Sequence, residues 1–83
     1  MKIKIYTSPG CFYCTQLKEL LRRADLDYEQ QIITGAILSE QFKIDYPTVR
    51  GFPYVIIDGE GIGGLIETAR LLVQKGLVSS GKK

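Results

Sequence analysis

Apolar and polar residues alternate over residues 2–7, and this period of two predicts a first β-strand. Ser8, Pro9 and Gly10 end the alternation, and apolar residues then recur at helical spacing over residues 12–24. A weaker strand pattern covers residues 27–33. A short helix is predicted over residues 36–44, with Leu38 and Phe42 on one face.

The second half of the chain has a sharper pattern. Residues 54–57 form an unbroken apolar run, which is typical of a strand buried on both faces. Asp58-Gly59 is a strong hairpin signal, so residues 60–63 are expected to return as a glycine-rich edge strand. A last amphipathic helix is predicted over residues 65–73, with Lys75 and Gly76 as its C-terminal signals.

The predicted order is therefore β-α-β-α-β-β-α, an α/β fold. A right-handed crossover should join the first two strands in parallel, and the hairpin should add an antiparallel pair. The four strands would then form one mixed sheet. We expect a single domain over residues 1–78 and a flexible C-terminal tail over residues 79–83.

Composition excludes several classes of protein. The 83 residues include 11 Lys plus Arg and 9 Asp plus Glu, and a net charge of only +2 does not indicate a nucleic-acid binder. No apolar run reaches the ~18 residues of a membrane span, and the N-terminus lacks the pattern of a signal peptide. We therefore expect a cytoplasmic protein that binds neither membranes nor nucleic acids.

The two cysteines are the strongest candidates for reactive side chains. The chain has no His, which excludes imidazole catalysis and His–metal ligation. Cys11 and Cys14 lie between a predicted strand and a predicted helix, the context in which Cys-x-x-Cys indicates a redox pair. At a helix N-terminus the free N–H groups favour the thiolate of Cys11, and Cys14, one turn further on, can reach it to form a disulfide.

Two other uses of the cysteines are weaker alternatives. A closed zinc site needs four protein ligands, which one chain with two Cys and no His cannot supply, so no metal site is predicted. Two buried structural thiols are the other alternative, but a position at a helix start after a glycine loop argues against burial.

Two glycine- and proline-containing segments are further candidates. Phe52-Pro53 precedes the third strand, where a cis bond would suit a tight turn and a trans proline at the strand start is the plainer alternative. Gly61, Gly63 and Gly64 precede the last helix, where a ligand could approach the helix N-terminus closely. Their plainer explanation is a hairpin return that needs positive φ angles.

Together these segments resemble the glutaredoxin family. Tyr6-Thr7, Cys11-Phe12-Tyr13-Cys14, residues 52–59 and Ile62-Gly63-Gly64 follow the order and spacing of the family's motifs, over residues 2–77. The resemblance implies a thioredoxin-like fold. It also implies a glutathione-dependent thiol–disulfide oxidoreductase that reduces protein disulfides and glutathione mixed disulfides.

The resemblance also assigns roles to residues. Cys11 would be the attacking thiolate and Cys14 the resolving thiol, with the Phe52-Pro53 bond in cis. Gly64 and Leu65 would offer backbone N–H groups to the γ-glutamyl carboxylate. The glutathione-binding residues implied are Tyr13, Phe52, Pro53, Gly64 and Leu65. Glutathione would be a co-substrate, with no tightly bound cofactor, and we expect a monomer.

Around the cysteines the chain departs from the family's usual motif. Phe12 stands in place of the usual Pro after the first Cys, and Ser8 stands where many members have Lys. This removes a cation near the thiolate and a partner for the glycyl carboxylate of glutathione. Arg50 and Lys43 are candidates to replace that cation, and solvated surface charge is the plainer interpretation of each.

The other departures affect the predicted glutathione groove. Gly51-Phe52 replaces the usual Thr-Val before the proline, and Ile66 stands where an acidic residue usually follows the Gly-Gly pair. Glu67 is the next acidic candidate, one position on. The residues expected to recognise glutathione therefore depart from the family's pattern more than the two cysteines do.

Two alternative functions follow from these departures. The first is a redoxin that thioredoxin reductase reduces and that donates electrons to ribonucleotide reductase. The second, from a different class, is an iron–sulfur carrier in which two chains hold a cluster through their first Cys and bound glutathione.

Overall fold

A computed structural model describes residues 1–49 and 51–78, so Arg50 and the predicted tail over residues 79–83 lie outside the described residues. The observed order is β-α-β-α-β-β-α, as the sequence predicts. The elements are β1 (Ile3–Thr7), α1 (Phe12–Arg23), β2 (Glu29–Ile32), α2 (Gly35–Asp45), β3 (Tyr54–Ile57), β4 (Glu60–Gly63) and α3 (Leu65–Gln74). Most bounds agree with the prediction within one residue, but β2 is shorter because only four of its residues pair with β1.

The four strands form one mixed sheet in the order β2-β1-β3-β4. β1 pairs in parallel with β2 and antiparallel with β3, and β3 pairs antiparallel with β4. The parallel pair is the β-α-β crossover, and the antiparallel pair β3–β4 is the hairpin predicted at Asp58-Gly59. β1 therefore lies inside the sheet, and its C-terminal end leads directly into the segment that carries the cysteines.

One face of the sheet, which we call the aliphatic face, is packed by α1 and α3. Alternate residues of β1 and β3 point into this layer, and every side chain of the cluster is buried. Its members are Ile3, Ile5, Leu17, Leu21, Val55, Ile57 and Leu72. Burial of apolar side chains is the main favourable contribution to folding, so this layer holds the small domain together.

The opposite face, which we call the aromatic face, is packed by α2. Phe42 is buried there, with its ring centroid 5.1 Å from that of Tyr6 and 4.9 Å from that of Phe52. Tyr46 and Tyr54 complete the cluster, and their ring centroids are 5.3 Å apart. Pairs of rings at these separations and tilted angles attract one another beyond the area that they bury.

The expectation that β3 is buried on both faces is wrong for one of the faces. Val55 and Ile57, on the aliphatic face, are buried, whereas Tyr54 and Ile56, on the aromatic face, are half-buried. The physical reason is that two helices cover the first face and one helix covers the second. Leu38 is also exposed, so Phe42 is the buried member of the face predicted for α2.

Among the residues that the structure describes, no helix is long and apolar enough to cross a membrane.

Candidate active site

Cys11 caps the N-terminus of α1. Its backbone is extended, with φ −91° and ψ 114°, and its Sγ accepts a hydrogen bond of 3.1 Å from the backbone N–H of Cys14. The sequence forms this cap because Ser8, Pro9 and Gly10 end β1 and turn the chain, with Gly10 at φ +69°. A sulfur that accepts a backbone N–H at a helix N-terminus is stabilised as a thiolate.

Cys11 and Cys14 form a disulfide, with their Cα atoms 5.2 Å apart. The two residues differ in burial, because Cys11 is half-buried and Cys14 is only 3% exposed. Cys14 lies three residues before Leu17 and seven before Leu21, so α1 turns it toward the aliphatic core. The expectation that the loop keeps the cysteines out of the core is therefore wrong for Cys14, and Cys11 is the accessible member of the pair.

The Phe52-Pro53 bond is cis, as predicted. The carbonyl oxygen of Phe52 lies 3.8 Å from the Sγ of Cys11, although the two residues are 41 positions apart in the chain. The ring of Phe52 packs on Phe42 of α2. The aromatic face therefore supports the loop that lies against the redox pair.

A groove of about 680 Å³, which we call the proline groove, runs past this loop to the start of α3. The structure brings together there all five residues that the resemblance assigned to glutathione. They are Tyr13, Phe52, Pro53, Gly64 and Leu65. Tyr13 is largely exposed on the rim, and Ile66, where the family usually has an acid, also lines the groove and is 67% exposed.

Glu67 occupies the N-terminus of α3. Its Oε1 accepts a 3.0 Å hydrogen bond from the backbone N–H of Gly64. Hydrogen bonds from its own backbone N–H and from that of Gly64 hold the pKa of the Glu67 carboxyl below its usual value. The N–H of Gly64 is thus already engaged, and Glu67 acts as a helix cap. An acidic residue three positions after a helix N-cap is the signal that indicates this role in the sequence.

The glycines of β4 serve two different purposes. Gly63 has φ +128°, a backbone conformation that side chains disfavour, as the hairpin explanation anticipated. Gly61 has no positive φ, but a Cβ there would collide with the hydroxyl of Tyr54. The space beside Gly61 is therefore filled by a side chain from β3, a contact that the sequence pattern does not reveal.

A second groove, also of about 680 Å³, opens beside the cysteines and has no lining residue in common with the first. We call it the lysine groove, because Lys18 is the charged residue that lines it. Its other lining residues are Thr7, Ser8, Pro9, Gly10, Cys11, Phe12, Cys14, Thr15, Gln30, Ile32 and Thr34.

Many family members have a Lys at the position of Ser8, and Lys43 and Arg50 are the candidates to replace its charge. Ser8 lines the lysine groove, so the position where the family has Lys does face the redox pair. Lys43 is exposed on α2 and lines neither groove. Arg50 lies outside the described residues. Over residues 1–49 and 51–78, no group of three or more Cys, Asp or Glu side chains is placed to hold a metal ion.

Two cysteines that can close a disulfide at a helix start can, as a reduced pair, pass two electrons to another disulfide and form their own disulfide in the process. On a sheet of this order, with a cis-proline loop against the first cysteine, the pair defines a thiol–disulfide oxidoreductase of the thioredoxin-like fold.

Comparisons with known proteins identify the family. The family model for glutaredoxin matches residues 3–62. Glutaredoxin 1 of Rickettsia bellii is 35% identical over an alignment of 68 positions that covers 75% of this chain and 67% of the relative. This chain belongs to the glutaredoxin family.

Solved structures agree on the fold. The crystal structure of glutaredoxin 1 from Francisella tularensis superposes with a TM-score of 0.77 at 28% identity, covering 92% of this chain and 95% of the other. A buckwheat glutaredoxin–glutathione complex superposes with a TM-score of 0.74, covering 90% of this chain and 70% of the other. At 19% identity, this second likeness shows the fold alone.

Proposed function

We propose that this protein is a glutathione-dependent oxidoreductase that reduces protein disulfides and glutathione mixed disulfides through Cys11 and Cys14. One observation carries the proposal: the accessible Sγ of Cys11 caps α1 and lies 3.8 Å from the carbonyl of Phe52, beside the proline groove. Members of the glutaredoxin family use glutathione as a substrate, and this supports glutathione as the thiol that reduces the Cys11–Cys14 pair.

With a protein disulfide, the Cys11 thiolate attacks one substrate sulfur. A Cys11–substrate disulfide forms, the substrate's S–S bond breaks, and the released sulfur leaves as a thiolate that takes up a proton. The Cys14 thiol then gives up its proton and attacks Cys11, which closes the Cys11–Cys14 disulfide and releases the second substrate thiol. Two electrons have passed from the pair to the substrate.

Two glutathione molecules restore the pair. The first attacks Cys11, forms a mixed disulfide and releases Cys14 as a thiol. The second attacks the glutathione sulfur of that mixed disulfide, frees Cys11 as the thiolate and leaves as glutathione disulfide. The burial of Cys14 fits its proposed role, because a resolving thiol has to reach Cys11 and not the external substrate.

The proline groove would hold the glutathione moiety. Phe52 would pair through its backbone with the cysteine of glutathione, and Pro53 and Tyr13 would border it. At the start of α3 the N–H of Leu65 is offered to the γ-glutamyl carboxylate, and the N–H of Gly64 would have to be shared with Glu67. We propose that the protein works as a monomer in the cytoplasm, a reducing compartment where such a pair is recycled.

The two-cysteine mechanism is tested by separating the roles of the thiols. Cys11→Ser should abolish all activity. Cys14→Ser should retain the reduction of a glutathione mixed disulfide, where a second glutathione resolves the intermediate, and lose the reduction of protein disulfides. Thermal unfolding of both variants serves as the control for folding. Equal activity of the two variants on the mixed disulfide would contradict the assignment.

A second experiment separates the alternatives. We expect turnover to be sustained by glutathione with glutathione reductase. Turnover with thioredoxin reductase alone, and none with glutathione, would instead support the redoxin that supplies ribonucleotide reductase. Visible absorbance in the freshly purified protein that is lost with Cys11→Ser would support the iron–sulfur carrier.

A further inference from the structure

The lysine groove, and not the proline groove, is the one that both cysteines line. Cys14 and Lys18 are four residues apart on α1, and Cys11 caps the helix three residues before Cys14, so the three residues lie close together along one side of the helix start. A polypeptide joined to Cys11 through a disulfide thus has a second surface within reach, directly beside the reacting sulfur atoms.

Among the described residues, the lysine groove carries one charged side chain, that of Lys18, and hydroxyl and amide side chains that can donate as well as accept hydrogen bonds. Lys18 is half-buried on its wall, and neither of the ion pairs formed among residues 1–49 and 51–78 involves its ammonium group. Ser8, Thr34 and the amide of Gln30 add further donors, and Gln30 is held in place by a 3.3 Å hydrogen bond to the Oγ1 of Thr7.

No Asp or Glu side chain is among the described residues that line this groove. One half-buried cation with neutral donors around it complements a carboxylate, and charge-assisted hydrogen bonds are the stronger ones. Pro9, Phe12 and Ile32 supply apolar surface on the same walls, which suits the rest of a peptide chain.

We propose that the lysine groove binds the polypeptide of the protein-disulfide substrate and that Lys18 selects substrates with an acidic residue close to the reactive cysteine. This rests on the proposed function, in which Cys11 attacks a substrate disulfide. Glutathione uses the proline groove, and the substrate protein uses the lysine groove, so the two partners of the reaction cycle meet Cys11 on different surfaces.

The test uses the full chain and peptides with one internal disulfide. In one peptide Asp and Glu flank a cysteine, and in a second Asn and Gln replace them. We expect kcat/KM to be about fivefold higher for the acidic peptide at low ionic strength, and the preference to shrink with added salt. Lys18→Met should abolish the preference, and Lys18→Arg should retain most of it.

The matched control is Lys43→Met, which removes the same charge from a position that lines neither groove. It should leave the preference unchanged. A small glutathione mixed disulfide, assayed in parallel, should be reduced equally by the wild type and by Lys18→Met, with the same KM for glutathione.

Three results would overturn the inference. The wild type could reduce both peptides equally, or Lys43→Met could remove the preference as fully as Lys18→Met does. A raised KM for glutathione in Lys18→Met would mean that the lysine groove holds glutathione's own carboxylate. If the wild type reduces neither peptides nor the glutathione mixed disulfide, the proposed function fails instead.

Discussion

The two faces of the sheet are built on different principles. The aliphatic face is covered by two helices, and its clustered side chains are all buried. The aromatic face is covered by α2, and of its five rings only that of Phe42 is buried. This difference indicates that the aliphatic face contributes most of the stability of the domain, whereas the aromatic face shapes the site. Phe52 links the aromatic face to the site, because it is both a member of the aromatic cluster and a wall of the proline groove.

The largest expected effect comes from opening the aliphatic face. Leu21→Ala removes a fully buried side chain between α1 and the sheet and should lower the free energy of unfolding by about 3 kcal/mol. Urea denaturation measures this loss. The remaining folded protein should keep the KM of the wild type for glutathione, and a raised KM would show that the faces are not divided as described.

A smaller loss of stability and a larger effect on activity are expected at Phe42. Phe42→Leu keeps an apolar side chain but loses the ring packing that supports Phe52, so stability should fall by about 1–2 kcal/mol. Because Phe52 borders the proline groove, KM for glutathione should rise more than kcat falls. Unchanged steady-state kinetics would contradict the shaping role of the aromatic face.

α3 carries a buried polar side chain without a hydrogen-bond partner in the described part of the chain. Thr68 is fully buried, and its Oγ1 has no hydrogen-bond partner among the described residues. Thr68→Val keeps the shape and removes the unpaired hydroxyl, so the free energy of unfolding should rise by about 1 kcal/mol. Denaturation of Thr68→Ser, which keeps the hydroxyl, is the control. A less stable Thr68→Val would mean that the hydroxyl is bonded.

The smallest expected effect is a pH-dependent contribution of Tyr46 to the stability of the aromatic face. A hydrogen bond with the hydroxyl of Tyr6, at 3.3 Å, raises the pKa of Tyr46 to about 12. Since the folded-state pKa lies above the unfolded value, the contribution is present below about pH 10 and is lost as the pH rises toward 12. Tyr46→Phe should therefore cost about 0.5 kcal/mol at pH 7 and less at pH 11.

Thermal unfolding of both proteins across that range measures the difference. A constant gap between the wild type and Tyr46→Phe from pH 7 to pH 11 would contradict the proton linkage. Leu21→Ala is the control, because an aliphatic side chain does not titrate.

The order of elements and the redox pair are readable from the sequence because both depend on local patterns. Alternation, helical spacing and the Asp58-Gly59 turn each involve neighbouring residues, and so does the position of Cys11 at a helix start. The half-exposure of Tyr54 and Ile56 is different, because it depends on how many helices cover each face. An apolar run is the same in a strand that is covered on one side or on both.

At the candidate site, some features have a local signal in the sequence and others do not. The capping role of Glu67 has a local signal, since it stands three residues after Gly64. The lysine groove joins Ser8, Lys18 and Gln30 from three separate segments, and no local pattern brings them together. Burial of Cys14 could have been predicted from its spacing to Leu17 and Leu21 on α1.

The contact between Tyr54 and Gly61 has an evolutionary consequence. An added Cβ at position 61 would collide with the Tyr54 hydroxyl, and it would still lie 3.2 Å from the Cζ of the ring if that hydroxyl were removed. A side chain at position 61 therefore requires the Tyr54 ring to shift or position 54 to become smaller. The two positions should therefore covary among descendants of this sequence.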